Sequence, residues 1–165
     1  MVVTDSEKIT LDNTDKQILE LLQDNAKYTI REIADKTDKS VTAVRVRIKR
    51  LEDDLIKKYM AIVDCRKLGY REMVIASLRV NSSQPLDDIK SKIEKMPQVK
   101  YAYIVTGERP IIAMFKCLDH EEAMDLIEKL RNLPGVEEVN TQIVLDRIKE
   151  DHTIIIPNPT QENSK

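Results

Sequence analysis

A chain of 165 residues can bury one sizeable core or two small ones, and with 4% aromatics, no Trp and a single Phe each core must be aliphatic. The formal net charge of -2 argues against a partner held by bulk positive charge, but salt screens charges beyond roughly 10 Å, so local clusters decide. Cys65 and Cys117 match no metal or redox spacing, no apolar run approaches the roughly 20 residues of a membrane helix, and Met1 to Lys8 lacks a signal-peptide core. A soluble cytoplasmic protein with reduced thiols and no membrane partner is expected, and its abundant Lys and Glu fit a thermophile.

The first helix is expected from about Thr14 to Asp24, capped by Asp12 or Asn13, with Ile18, Leu21, Leu22 and Leu19 as its apolar stripe. After the connector Asn25-Ala26-Lys27-Tyr28, Thr29 caps a second helix from Ile30 to about Lys36, with Glu32 at capping-box spacing. Thr37-Asp38-Lys39 is a short turn, and Ser40 caps a third helix from Val41 to about Asp54. Two short helices joined by a tight turn, the second longer and basic, form a helix-turn-helix pattern. The following Ile56 to Val63 favours β structure, as a wing or a linker strand, and Asp64 to Arg71 reads as a domain boundary.

The second half reads strand (Met73 to Val80), helix (Pro85 to Met96), strands (Val99 to Thr106 and Ile111 to Leu118), helix (from Asp119 or His120 to Leu133) and strand (Val136 to Leu145). Ile89, Ile93, Met96-Pro97 and Val99 recur 37 positions later as Leu126, Leu130, Leu133-Pro134 and Val136. A repeated helix-Pro-strand unit around a hairpin indicates a ferredoxin-like βαββαβ domain. Thr153 to Ile156 could add a strand. The expected organisation is an α+β protein: a winged helix-turn-helix over 9–58, a linker over 59–70, a ferredoxin-like domain over 71–156 and a polar tail over 157–165.

The third helix carries the chemistry. Val41, Val44, Ile48, Leu51 and Leu55 make one buried face, and at about 100° per residue the opposite face centres on Val46. Thr42, Lys49 and Arg50 surround it, with Arg45 and Arg47 on the flanks. From Lys39 to Lys58, seven basic residues face three acidic ones, the clearest basic patch in the chain. An exposed valine ringed by cations suits a DNA groove: Arg or Lys can donate to guanine, and Thr or Val can touch a thymine methyl. Ser40, with the helix N-terminus, could hold a phosphate, as could Lys57 and Lys58. The alternative is a solvated amphipathic helix whose charges serve solubility.

The string Thr29-Ile30-Arg31-Glu32-Ile33-Ala34, followed by Ser40-Val41-Thr42-Ala43-Val44-Arg45-Val46-Arg47-Ile48-Lys49-Arg50-Leu51-Glu52, closely resembles the winged helix-turn-helix of the leucine-responsive regulator (Lrp/AsnC) family. The opening Leu11 to Leu19, the order of elements in the second half, Val105-Thr106-Gly107 and Thr141 are similar too, over about residues 9 to 156. The resemblance implies a DNA-binding transcriptional regulator, from an archaeon or other thermophile, that forms homodimers and octamers and binds a small effector, usually an amino acid. The chain departs from the family at Asp53-Asp54-Leu55, where a Gly usually follows the helix, and at Gly107-Glu108-Arg109-Pro110, where the family often has Gly-x-aromatic-Asp.

A zwitterionic effector needs donors for its carboxylate and an acceptor for its ammonium. Backbone N–H groups at Thr106 and Gly107, helped by Arg109, could supply the first and Glu108 the second. Tyr101, Tyr103 and Thr141 could line the pocket. The competing reading is a plain hairpin with surface charges, and tyrosines that pack a core or interface. No P-loop, dinucleotide fingerprint, zinc spacing or catalytic triad is present, so no catalytic residue, metal or cofactor is assigned. His120 and His152 fall at a helix start and near the tail. Two alternatives share the architecture: an enzyme resembling sirohaem decarboxylases, and a metabolite sensor that no longer binds DNA.

Overall fold

The computed structural model describes residues 9–81 and 86–158. Helix α1 spans Asn13–Asp24, α2 Ile30–Thr37 and α3 Val41–Asp54. Each begins where a side chain can satisfy N–H groups that lack a helical partner. Asp12 accepts from the Asp15 N–H at 2.8 Å while Asp15 accepts from the Asp12 N–H at 3.1 Å. Thr29 and Glu32 make the reciprocal pair on α2, and Ser40 Oγ accepts from the Ala43 N–H at 3.1 Å on α3. The turn between α2 and α3 is closed by Asp38 in the left-handed conformation (φ 53°), with the Lys39 N–H donating to the Ala34 carbonyl at 3.1 Å. Asp tolerates that region better than most residues, though Gly suits it best.

The core of this unit joins Ile18 and Leu19 of α1, Ile33 and Ala34 of α2, and Val44, Ile48 and Leu51 of α3. Val41 and Leu55, expected on the buried stripe, emerge at its two ends and are exposed. Ile56 to Val63 pairs with no strand among the described residues.

The C-terminal segment differs from expectation. Thr153 to Ile156 adds no strand, and the described residues from Glu150 to Asn158 group with the helical unit rather than with the second domain. Ile156 is 6% exposed within the helical core. The side-chain amide of Gln23 meets the Ile154 backbone twice, donating to its carbonyl at 3.0 Å and accepting from its N–H at 2.7 Å. Lys16 donates to Asn158 Oδ1 at 2.7 Å. A peptide group engaged by a side chain has no need of a ladder partner, and Ile156 buries more area as a plug than on a sheet edge.

The second unit, Val63–Lys149, holds β1 (Glu72–Val80), α4 (Leu86–Glu94), β2 (Val99–Ile104), β3 (Ile111–Cys117), α5 (His120–Arg131) and β4 (Val136–Ile143). Pro85, expected to open α4, lies outside the described residues. The sheet is antiparallel in the order β2-β3-β1-β4, with β1 bonded to both β3 and β4. This is the ferredoxin-like arrangement implied by the repeat of 37 residues, and its physical reason is visible: Ile89, Ile93, Leu126, Leu130 and Leu133 all enter one core with Val74, Ala76, Leu78 and Phe115. The alternate residues of the strands, including Ile75, Ile112 and Met114, point to the face that the helices leave open.

Candidate nucleic-acid interface and effector site

Helix α3 presents two different flanks. Val46 at its outer centre is 65% exposed, and Thr42, Arg45 and Lys49 beside it are exposed. Lys49 meets Asp53 one turn on at 3.8 Å, a fully solvated contact of little energetic weight. Arg45, Lys57 and Lys58 make no ion pair among the described residues. Tyr59, just beyond, donates to Glu52 at 3.0 Å, and burial with that carboxylate pushes its hydroxyl up to about 12.

Arg47 and Arg50 are turned toward α1 instead. Arg47 Nη1 donates to Asp12 Oδ2 at 2.6 Å and to Asp15 Oδ1 at 2.8 Å, and Arg50 Nη2 donates to Asp15 Oδ2 at 2.5 Å. Asp15 is 1% exposed. Its hydrogen bonds with Asp15 and Asp12 hold the Arg47 guanidinium above its ordinary value. Partial burial would raise the Asp12 carboxyl, but the Asp15 N–H and Arg47 together hold it below the usual carboxylate range.

The nine sequence-predicted DNA residues therefore separate. Ser40, Thr42, Arg45, Val46, Lys49, Lys57 and Lys58 are exposed, while Arg47 and Arg50 are engaged within the unit. Asp15 was not singled out by sequence. Its signal was a carboxylate three residues before Ile18 and four before Leu19, on the buried side of an amphipathic helix, where a charge needs a partner.

The effector candidates are dispersed. Tyr101 and Tyr103 lie on edge strand β2 opposite Met114 and Ile112, on the open face, with stacked rings 6.3 Å apart between centroids. Thr141 pairs with Ala76 of the core and so lies on the helix-covered face of β4, at the other edge of the sheet. Thr106, Gly107, Glu108 and Arg109 form the β2–β3 hairpin, closed by the Val105 N–H donating to Pro110 O at 2.9 Å. Gly107 has φ +115°, which disfavours any side chain even though the space around it is open.

Arg109 Nη2 donates to Glu138 Oε1 of β4 at 2.9 Å, and Arg79 reaches Glu138 at 3.2 Å and Glu137 at 3.4 Å. The Arg109 hydrogen bond holds the Glu138 carboxyl below its usual range. In one chain the tyrosines and Thr141 thus lie at opposite edges of the sheet, and Arg109 is engaged by Glu138. A groove of about 450 Å³ is lined by Lys90, Ile93 and Glu94 of α4 and by β2 residues that include both tyrosines and Ile104.

Elsewhere, Cys65 accepts from Arg147 Nη1 at 3.2 Å and Lys116 Nζ at 3.6 Å, and the Arg147 hydrogen bond draws its thiol down. Burial pushes Cys117 up to about 11. His120 at the start of α5 meets Glu72 at 3.2 Å. Among the described residues no three His, Cys, Asp or Glu side chains gather as a metal would require, and no helix is long and apolar enough to cross a membrane.

A capped helix-turn-helix bearing an exposed basic flank, joined to a ferredoxin-like domain, is the build of a two-domain protein with a DNA-binding motif at its N-terminal end. Residues 11–54 match the winged helix-turn-helix DNA-binding family, and residues 73–154 match the Lrp/AsnC ligand binding domain. The HTH-type transcriptional regulator FL11 of the archaeon Pyrococcus horikoshii is 31% identical, over 87% of this chain and 95% of that one. Among solved structures, E. coli AsnC superposes with a TM-score of 0.83 at 25% identity, covering 90% of this chain and 100% of that one. A Neisseria meningitidis transcriptional regulator in complex with L-Met superposes with a TM-score of 0.83 at 24% identity, covering 88% of this chain and 96% of that one.

The chain belongs to the Lrp/AsnC family of transcriptional regulators. It is a DNA-binding regulator with a ligand-binding domain, not an enzyme.

Proposed function

We propose that α3 enters the major groove with Thr42, Arg45, Val46 and Lys49 toward base edges, while Ser40, Lys57 and Lys58 contact phosphates. The observation that carries this is an apolar Val46, 65% exposed between cations on the outer face of a capped helix. In water that valine gains nothing, whereas a thymine methyl would bury it. The protein acts on double-stranded DNA in the cytoplasm.

The working form is a homodimer, able to assemble to an octamer, with a second copy covering the open sheet face. Exposed Tyr103 and half-buried Ile75, Ile112 and Met114 on that face support this, as do Leu145 and Ile148, which are 96% and 99% exposed. The effector is a zwitterion of the amino-acid class. The support is the family of the domain and the L-Met held by one structural relative. Because Tyr101, Tyr103 and the Thr106 to Arg109 hairpin lie apart from Thr141 in one chain, a pocket using all of them takes residues from more than one copy.

A salt-dependent gel shift tests the reading, using the promoter of the protein's own gene against a random duplex. Tighter promoter binding that weakens steeply with salt is expected, and equal weak binding to both duplexes would contradict it. Calorimetry against the twenty amino acids tests the effector, and a blank would leave the hairpin as a plain turn.

A further inference from the structure

The structure assigns Asp15 a positioning role: its buried carboxylate fastens Arg47 and Arg50 of α3 to α1, so these two arginines set the angle of the recognition helix and do not contact DNA. The inference rests on the reading of α3 as the DNA-facing helix. Its basis is the complete use of one carboxylate. Asp15 Oδ1 accepts from Arg47 at 2.8 Å, and Oδ2 accepts from Arg50 at 2.5 Å and from the Asp12 N–H at 3.1 Å. The acid is 1% exposed, so water cannot replace a departing guanidinium. Releasing either arginine to a phosphate would strand a buried charge, a penalty the new contact must first offset.

The geometry of α3 points the same way. At about 100° per residue, Arg47 and Arg50 fall on one side of Val46, toward α1, while Thr42, Arg45 and Lys49 fall on the other. Arg47 closes a second contact to Asp12 at 2.6 Å, so the start of α1, including its capping box, and the middle of α3 form one bonded block. Base-edge contacts demand such a block, because a helix free to roll by a few degrees loses bidentate geometry while keeping its phosphate contacts. The expected signature is lost discrimination with retained electrostatics.

The test uses the full chain, the promoter duplex and a random duplex over a salt series. Tighter promoter binding by the wild type supports the DNA-facing reading, and its absence overturns both claims together. Given it, Arg50→Gln should lower promoter affinity about tenfold and leave random-duplex affinity nearly unchanged. The slope of log K against log salt should also hold, whereas Lys57→Gln, at a proposed phosphate contact, should reduce it by about 1. Asp15→Asn should reproduce the loss of discrimination, and the double substitution should add little to either single one. A slope reduced by about 1 in Arg50→Gln, or tighter DNA binding in Asp15→Asn as freed arginines reach phosphates, would overturn the proposal. If Asp15→Asn fails to fold, Arg47→Gln takes its place: both arginines act through Asp15, so the Arg47→Gln/Arg50→Gln pair should add little to either single loss, and additive losses would overturn the proposal.

Discussion

In the helical unit the DNA-facing candidates from Ser40 to Lys49 lie on one capped helix and its N-cap, and one turn of chain brings each beside the next. In the sheet unit the effector candidates lie on two strands and a hairpin, at both edges and on both faces of the sheet. The first site is complete within one copy because helical neighbours are sequence neighbours. The candidates for the second are dispersed because strand neighbours are set by register, which places residues close in sequence on opposite faces. A face on one helix can therefore be built from a short string, while a site on a sheet draws on residues far apart in sequence.

Substitutions in the two units sharpen this contrast. The largest effect is expected from Phe115→Ala, which removes the one Phe from the centre of the sheet core. It should destabilise that unit by about 3–5 kcal/mol in urea unfolding, and a cost below about 1 kcal/mol would mean that the core does not depend on it. In the helical unit Asp15→Ala removes a cap partner and the acid shared by Arg47 and Arg50. Discounted for the solvent around both arginines, the expected loss is about 2–3 kcal/mol by thermal melting. Ile156→Ala should cost the same unit about 2 kcal/mol, although position 156 is remote in sequence from α1. Unchanged stability there would detach the C-terminal segment from the helical core.

Two smaller effects follow from local chemistry. Asp38→Gly relieves the left-handed turn between α2 and α3 and should stabilise the helical unit by about 0.5–1 kcal/mol. Asp12 titrates below its ordinary 3.8 in the folded protein, so its contribution is fully present above that value and disappears as pH falls through the lowered one. Asp12→Asn should flatten the acid limb of the stability profile of the helical unit. The acid limb of the sheet unit, where Arg109 depresses the Glu138 carboxyl in the same sense, should be unchanged by that substitution. An acid limb identical to wild type would remove Asp12 from the account.

Sequence revealed what caps, stripes and repeats encode. Asp12, Thr29 and Ser40 announce their helices as capping residue types, Thr29 also through its spacing to Glu32, and the repeat of 37 residues exposes the paired helices of the sheet unit because both copies fill one core. Pairings across the fold were hidden. That Arg47 and Arg50 turn inward while Arg45 and Lys49 stay outward depends on where α1 packs, which the apolar stripe of α3 alone does not fix. Ile156 looked like part of a strand because isoleucines favour sheets, and only the Gln23 amide and a gap in the helical core made it a plug. Thr141 matched a family position, but its face is set by its register against Ala76.

The central claim, that the outer flank of α3 reads DNA, is tested most directly by comparing wild type with Arg45→Ala on the promoter and random duplexes across a salt series. Promoter preference with a steep salt dependence is expected in the wild type. In Arg45→Ala weaker promoter binding with a reduced preference is expected, as for an arginine at a base edge. Binding by Arg45→Ala that matches wild type in affinity, preference and slope would contradict the claim.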